Sequence, residues 1–175
     1  EKKFVISSSG NAALAAGLYI KEYNTNSSSP LSLTIFCGKN IDDKKIQKIL
    51  AMRDNNIRVI QTANPKQSAF KMQKIEHAKN LRQSTDDSAL LGYEELAMEL
   101  AQIHNLSAIF IPTSSGTTAE GLYNGLEKAG LNPQIHIAQT EACHPIAEAV
   151  LQSPCPTQKK SIASAIVDKV AHRKK

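Results

Sequence analysis

Hydrophobic and polar positions along the chain follow two alternating patterns. Short apolar runs, typical of strands buried in a parallel sheet, occupy residues 4–6, 31–37, 57–60 and 109–111. Residues 134–139 predict a further strand, with Ile135 and Ile137 on one face. Stretches with apolar residues three or four positions apart, typical of amphipathic helices, occupy residues 12–23, 46–53, 96–103, 122–130, 146–151 and 162–170. A further, polar helix is predicted over residues 65–80. This alternation predicts an α/β fold with parallel sheets, whose ligand-binding loops lie at the carboxyl ends of the strands.

Residues 81–89 interrupt the pattern and divide the chain in two. They contain the polar sequence RQSTDDS, which is typical of a segment that links two parts of a protein. We therefore expect one part over residues 1–80 and a second over residues 90–175.

In the first part, the sequence predicts the start of one helix and the buried face of another. Asn64 followed by Pro65 is a typical helix start and predicts a helix that extends to about Asn80. In the helix predicted over residues 12–23, Leu14 and Leu18 mark the face that we expect to be buried.

Composition narrows the functional classes. The chain has 21 Lys and Arg against 16 Asp and Glu, and the excess lies mainly at its two ends. Because aromatic residues make up only 5% and Trp is absent, we expect no stacking surface for nucleic acid. No apolar stretch is long enough to predict a membrane span. The 3 Cys show no CxxC spacing, so we expect no disulfide framework, no metal site and a reducing, cytoplasmic compartment.

Two turns rich in Ser, Thr and Gly each lie between a strand and a helix. We call residues 7–11 the first serine turn and residues 113–118 the second serine turn. Such a turn points backbone N–H groups and hydroxyls at a helix N-terminus, where the partial positive charge favours an anion such as phosphate. The second turn is not a Walker loop, because no Lys follows its glycine, and it lacks the GxGxxG spacing of dinucleotide sites. The alternative is that both turns only cap their helices.

Both turns resemble loops of one enzyme superfamily. SSGNAALA, residues 8–15, resembles the asparagine loop of the pyridoxal-phosphate enzymes of the tryptophan-synthase-β superfamily, and SSGTTAEGL, residues 114–122, resembles their phosphate-binding loop. A finer resemblance is to threonine synthases, to which SSGNAALAA, Gly92-Tyr93, QTEACHPI and SIASAI are similar. The resemblance implies a three-layer αβα fold with parallel sheets, incomplete at both ends. Residues 1–80 would then belong to the small domain, and residues 90–175 to the large domain.

The resemblance also implies a role for each turn. Asn11 is expected to hydrogen-bond the phenolic oxygen of the cofactor ring. The α-carboxylate of the substrate is expected at Ser8, Ser9 and Gly10. The cofactor phosphate is expected at Ser114, Ser115, Gly116, Thr117 and Thr118. We also expect the two turns to converge at the carboxyl ends of their strands.

The chain departs from the superfamily in two ways. Ser114 and Thr117 stand where relatives have glycine, and because Thr117 is β-branched we expect either a position that is not left-handed or an altered loop. The lysine that forms the Schiff base with the cofactor lies upstream of the asparagine loop in relatives and is not in this chain. We therefore expect the chain to be a fragment of the catalytic domain, inactive by itself and weak in its affinity for pyridoxal phosphate.

Three functions remain open at this point. The first is a pyridoxal-phosphate-dependent lyase acting on a hydroxy- or phosphohydroxy-amino acid, as threonine synthase does when it converts O-phosphohomoserine to threonine in threonine biosynthesis. Its alternative is a serine/threonine dehydratase or a related ammonia-lyase. The second is a non-catalytic module that binds cofactor or phosphate, and the third is an α/β domain whose turns only cap helices. We expect a small amino acid as the partner, neither nucleic acid nor membrane, and self-association into a homo-oligomer through exposed apolar faces.

Overall fold

The chain forms two compact units, Glu1–Arg82 and Gln83–Lys175. Its structure is a computed structural model that describes residues 2–154, 161–163 and 166–173. Each unit is built around a parallel sheet, so the predicted α/β class with parallel sheets is confirmed.

The first unit contains a four-stranded parallel sheet and three helices. Its strands are β1 (Lys2–Ser7), β2 (Leu31–Gly38), β3 (Ile57–Thr62) and β4 (Lys79–Asn80), in the spatial order β3-β2-β1-β4. Its helices are α1 (Asn11–Thr25), α2 (Asp43–Leu50) and α3 (Pro65–Glu76). Since β1 and β2 run side by side from Lys2 opposite Leu31 to Ser7 opposite Phe36, the turns that follow them lie at the same edge of the sheet.

Helices cover both faces of this sheet. Leu33 and Ile35 of β2 pack with residues of α1 and α2 in one apolar cluster. Val5 and Phe36 point to the opposite face, where Ala69 of α3 packs against them. Successive residues of a strand alternate between faces, so β1 and β2 are buried on both sides. The first unit is therefore a three-layer αβα arrangement.

The second unit has a two-stranded parallel sheet. A 3₁₀ helix (Asp87–Tyr93) leads into α4 (Glu94–Leu100), and β5 (Ala108–Pro112), α5 (Thr117–Lys128), β6 (Gln134–Ala138) and α6 (Pro145–Leu151) follow. Ile111 of β5 packs against Ala97 of α4 and against Leu122 and Leu126 of α5. The loop after β5 is thereby held at the start of α5.

One face of β5 is exposed, which the apolar run did not predict. Phe110 is 71% exposed and stacks on His136 of β6, with ring centroids 4.5 Å apart. Only Ile111 of the run from Ile109 to Ile111 is fully buried. The described helices α4 and α5 contribute to the cluster on the opposite face, where Ile109, Ile111 and Ile135 lie.

Two predicted helices need correction. The helix that begins at Pro65 ends at Glu76 and not near Asn80, because His77 is left-handed at φ 52° and the chain then pairs Lys79 and Asn80 with β1. The segment over residues 162–170 is not helical in its described residues, 162–163 and 166–170. Its β-branched residues lower helix propensity, and Ile162 and Val170 are exposed, so these two apolar side chains add no burial that would stabilise a helix.

Candidate functional site

The first serine turn connects β1 to α1 and is anchored to β2. The N–H of Ser8 donates to the carbonyl oxygen of Phe36 at 3.2 Å, and the N–H of Gly10 donates to the hydroxyl of Ser8 at 3.3 Å. The buried thiol of Cys37 donates to the carbonyl oxygen of Ser8 at 3.4 Å, and burial raises the pKa of this thiol. These contacts fix the turn at the carboxyl edge of the sheet.

Several donors of the first serine turn face no acceptor in the described part of the chain. The backbone N–H groups of Ser9, Asn11 and Ala12 make no hydrogen bond there, since the first bonds of α1 are those of Ala13 and Leu14 to Gly10. The residue that caps α1 is Gly10, and the exposed side chain of Asn11 caps nothing. The N-terminus of α1 can therefore receive a carboxylate, and the amide of Asn11 is available to a ligand.

The second serine turn connects β5 to α5 and is folded around Gly116. Gly116 has φ 85°, a left-handed conformation that glycine adopts without strain. Among the described residues, the only others with positive φ are Gly130, His77, Asn105 and Gln152. Thr117 is therefore not left-handed, which is one of the two outcomes that its β-branched side chain led us to expect.

The hydroxyls of the second serine turn stabilise the turn itself. Thr113 accepts a hydrogen bond from the N–H of Gly116 at 3.2 Å, and Ser115 shares one with Thr117 at 2.9 Å. Ser114 accepts from the N–H of Asp168 at 3.1 Å, and Thr118 donates to the hydroxyl of Tyr93 at 3.2 Å. These hydroxyl groups therefore stabilise the loop itself, and only hydrogen-bond donors that are not occupied within the loop can bind a ligand.

Two backbone donors at the start of α5 remain for an anion. Within the described residues, the N–H groups of Thr118 and Ala119 make no hydrogen bond, and the first bond of α5 outside the turn is that of Glu120 to Gly116. Both residues are half-buried. Adjacent free amides at the N-terminus of a helix of 12 residues fit a phosphate group, because the helix dipole and the N–H groups act together.

Sequence reasoning missed Arg173, which it assigned to the basic end of the chain. Its side chain is only 6% exposed and forms ion pairs with Asp87 at 3.0 Å and with Glu120 at 3.2 Å. Its backbone N–H donates to the carbonyl oxygen of Ser115 at 3.1 Å. Nothing in the local sequence distinguishes Arg173 from the basic residues beside it, since its partners are more than 50 positions away.

A concave region lies beside α6. A shallow, open pocket of about 400 Å³ is lined by Ile137, Gln139, Thr140, Glu141, His144, Ala147 and Val150. Gln139 accepts hydrogen bonds from the N–H groups of Ile146 and Ala147 at 3.1 and 3.0 Å, so its side chain caps α6. The His144 ring lies 3.5 Å from Glu148.

Among the described residues no group of three His, Cys, Asp or Glu side chains could hold a metal ion, and no helix is long and apolar enough to cross a membrane.

A comparison with protein families gives a match over nearly the whole chain. A model of the family "Pyridoxal-phosphate dependent enzyme" matches residues 1–174. No sequence among the curated proteins matches the chain.

Solved structures share the fold at low sequence identity. Maize serine racemase superposes with a TM-score of 0.76 at 17% identity, over 95% of this chain and 50% of its own. Threonine deaminase isoform 2 from Solanum lycopersicum gives 0.72 at 16% identity, over 87% and 43%. Diaminopropionate ammonia lyase from Escherichia coli gives 0.67 at 12% identity, over 87% and 42%. The chain thus spans about half the length of these proteins. These three are a racemase, a deaminase and an ammonia lyase, and the finer resemblance to threonine synthases is not shown.

Proposed function

The chain belongs to the family of pyridoxal-phosphate dependent enzymes. From this membership we propose that it is part of an enzyme that catalyses elimination on a hydroxy-amino acid. The observation that supports this most directly is the pair of free N–H groups of Thr118 and Ala119, beside left-handed Gly116. Backbone donors at a helix N-terminus suit the phosphate of the cofactor, which carries about two negative charges near neutral pH.

Each turn has a distinct task in this proposal. The second serine turn holds the phosphate through the amides of Thr118 and Ala119, and the hydroxyls of Ser114, Ser115 and Thr117 keep the turn in shape. The first serine turn receives the carboxylate of the amino acid at the free amides of α1, next to Ser8, Ser9 and Gly10. The side chain of Asn11 donates to the ring oxygen of the cofactor. When bound, pyridoxal phosphate withdraws electrons from the α-carbon of the amino acid.

The reaction class that we propose first is that of dehydratases and ammonia-lyases. Its support is the fold that the chain shares with a threonine deaminase and an ammonia lyase, together with the family match. A threonine synthase-like replacement on O-phosphohomoserine is the second candidate, and its support is the similarity of SSGNAALAA, residues 8–16, to threonine synthases. Both candidates use the same two turns.

Binding of the phosphate is tested by titrating the 15N-labelled chain with pyridoxal phosphate. We expect the amide signals of Thr118 and Ala119 to shift, with a dissociation constant of about 0.1–1 mM, because a few charge-assisted hydrogen bonds must offset the entropy of association. Inorganic phosphate should shift the same signals, whereas pyridoxal, which has no phosphate, should not. Asn11→Ala should weaken the binding of pyridoxal phosphate but not that of inorganic phosphate, because only the former has a ring oxygen.

The matched control is Asn80→Ala. It removes an asparagine side chain from β4, the edge strand of the sheet in the first unit, which also contains Asn11. An equal effect of Asn80→Ala and Asn11→Ala would contradict the role of Asn11. Shifts scattered over the surface, with none at Thr118 or Ala119, would contradict the phosphate site.

The reaction class is tested with the native protein purified from its source and loaded with pyridoxal phosphate. We expect L-serine or L-threonine to yield ammonia and a 2-oxo acid, which a coupled dehydrogenase assay measures. Threonine and inorganic phosphate formed from O-phosphohomoserine would favour the second candidate instead. Binding of pyridoxal phosphate without either turnover would indicate the non-catalytic module.

A further inference from the structure

Arg173 is a buried charge whose two terminal nitrogens, Nη1 and Nη2, have hydrogen-bond partners, whereas its buried Nε has none among the described residues. Its guanidinium donates to the carboxylates of Asp87 and Glu120 and to the backbone carbonyls of Gln83 and Asp86, at distances from 3.0 to 3.2 Å. Burying a guanidinium is costly unless nearly all of its donors are satisfied in good geometry. A basic residue with no structural or functional role normally keeps its charged group in water.

The backbone of Arg173 lies directly against the second serine turn. Its N–H donates to the carbonyl oxygen of Ser115, and a Cβ atom placed on Gly116 would overlap its carbonyl oxygen. Five positions earlier, the N–H of Asp168 donates to the hydroxyl of Ser114. Residues 168–173 therefore contact three successive positions of the turn, from Ser114 to Gly116.

The side chain of Arg173 also acts on the charge at the start of α5. Glu120 follows Ala119 and lies in the first turn of α5, close to the amides that are free to bind an anion. An uncompensated carboxylate there would repel a phosphate dianion. The guanidinium of Arg173 is 3.2 Å from this carboxylate and offsets its charge.

We propose that Arg173 is a positioning residue of the phosphate site: it clamps the second serine turn through its backbone and neutralises Glu120 through its side chain. This inference rests on the proposed function, because it assigns a task toward the same phosphate group. Arg173 does not touch the phosphate in this assignment. It acts through Ser115, Gly116 and Glu120, and keeps the amides of Thr118 and Ala119 in one orientation and in a favourable field.

Arg173→Ala tests the clamp in the titration with inorganic phosphate and with pyridoxal phosphate. We expect both dissociation constants to rise by about tenfold, which corresponds to the loss of one charge-assisted hydrogen bond. Arg58→Ala is the matched control, since Arg58 is an exposed arginine of the first unit whose guanidinium lies 4.0 Å from Glu76. The control should leave both constants unchanged.

A second substitution separates positioning from a general structural role. If Arg173 offsets the charge of Glu120, then Glu120→Gln introduced together with Arg173→Ala should restore about threefold of the lost phosphate affinity. A residue that only stabilises the fold would show no such recovery, because Glu120→Gln adds no contact. Arg173→Lys keeps the charge but loses the planar fork, so we expect an intermediate affinity from a variant that is more certain to fold.

Each outcome decides the proposal. Weaker phosphate binding in Arg173→Ala, with recovery in the double variant, supports it. Unchanged binding in Arg173→Ala and Arg173→Lys overturns it, and so does tighter binding, which would mean that residues 168–173 obstruct the turn. If the unsubstituted chain itself shows no phosphate response at Thr118 and Ala119, the proposed function fails first, and that result is distinct from normal binding that Arg173 does not influence.

Discussion

Replacing Gly116 with alanine is expected to lower the free energy of unfolding of the second unit by about 3 kcal/mol. Two costs add at this position. An L-residue held at φ 85° costs about 1–2 kcal/mol, and the new methyl group overlaps the carbonyl oxygen of Arg173, so the backbone of residues 168–173 must move. Because this turn precedes the free amides of α5, phosphate binding should weaken together with stability.

Gly130→Ala is the matched control for this substitution. Gly130 also has positive φ, at 75°, but no atom lies within 4 Å of the Cβ that alanine would add. It should therefore show only the conformational cost of about 1–2 kcal/mol. Hydrogen exchange of the α5 amides, followed by NMR, measures the stability of the second unit in both variants. Equal losses at the two positions would mean that the contact with Arg173 contributes nothing to stability.

Gly125→Ala is expected to destabilise the packing of α4 on α5 by about 1–3 kcal/mol. The added Cβ would come within 2.5 Å of the Cβ of Ala97 and 3.3 Å of the Cα of Glu94. Ala97 is fully buried, and its methyl group cannot move without its backbone. The two helices would have to separate, even though alanine favours a helix over glycine by about 1 kcal/mol.

Gly17→Ala offers the opposite result in a helix of the first unit. Its added Cβ would meet the terminal methyl group of Met52 at 2.9 Å, and Met52 can change rotamer to make room. The gain in helix propensity should then dominate, leaving stability unchanged or raised by about 0.5–1 kcal/mol. Hydrogen exchange of α1 and α5 reports each unit by itself. A loss at Gly17 equal to that at Gly125 would contradict the distinction between a flexible and a fixed neighbour.

Local patterns in the sequence were sufficient for the two serine turns and for every strand of the described residues except β4, which was predicted as the end of a helix. The apolar run of residues 31–37 appears as β2, because a strand buried on both faces needs apolar residues at successive positions. The run of residues 57–60 appears as β3, an edge strand in which Ile60 is exposed. Glycine and hydroxyl residues marked both turns correctly as helix starts, since α1 begins at Asn11 and α5 at Thr117. The convergence of the two turns and the roles of their residues stay predictions.

Which face of an element is buried, and where the element ends, depended on the residues that pack against it. Leu18 carries the apolar spacing of α1 but is 60% exposed, whereas Ala13 and Gly17 are buried. A helix that lies close to a sheet needs small residues at the contact, and spacing alone does not reveal how close it lies. The spacing over residues 162–170 likewise predicted a helix that the described residues, 162–163 and 166–170, do not form.

The sequence by itself determined the α/β class and the position of each serine turn between a strand and a helix, because these follow from residue types and from neighbours a few positions away. Only the tertiary structure decided which hydroxyls are consumed inside the second serine turn, which amides of α5 remain free, and that Arg173 lies buried against Ser115 and Glu120. The ion pairs of Arg173 join residues more than 50 positions apart, and their energies come from burial and charge at contacts that no local pattern encodes.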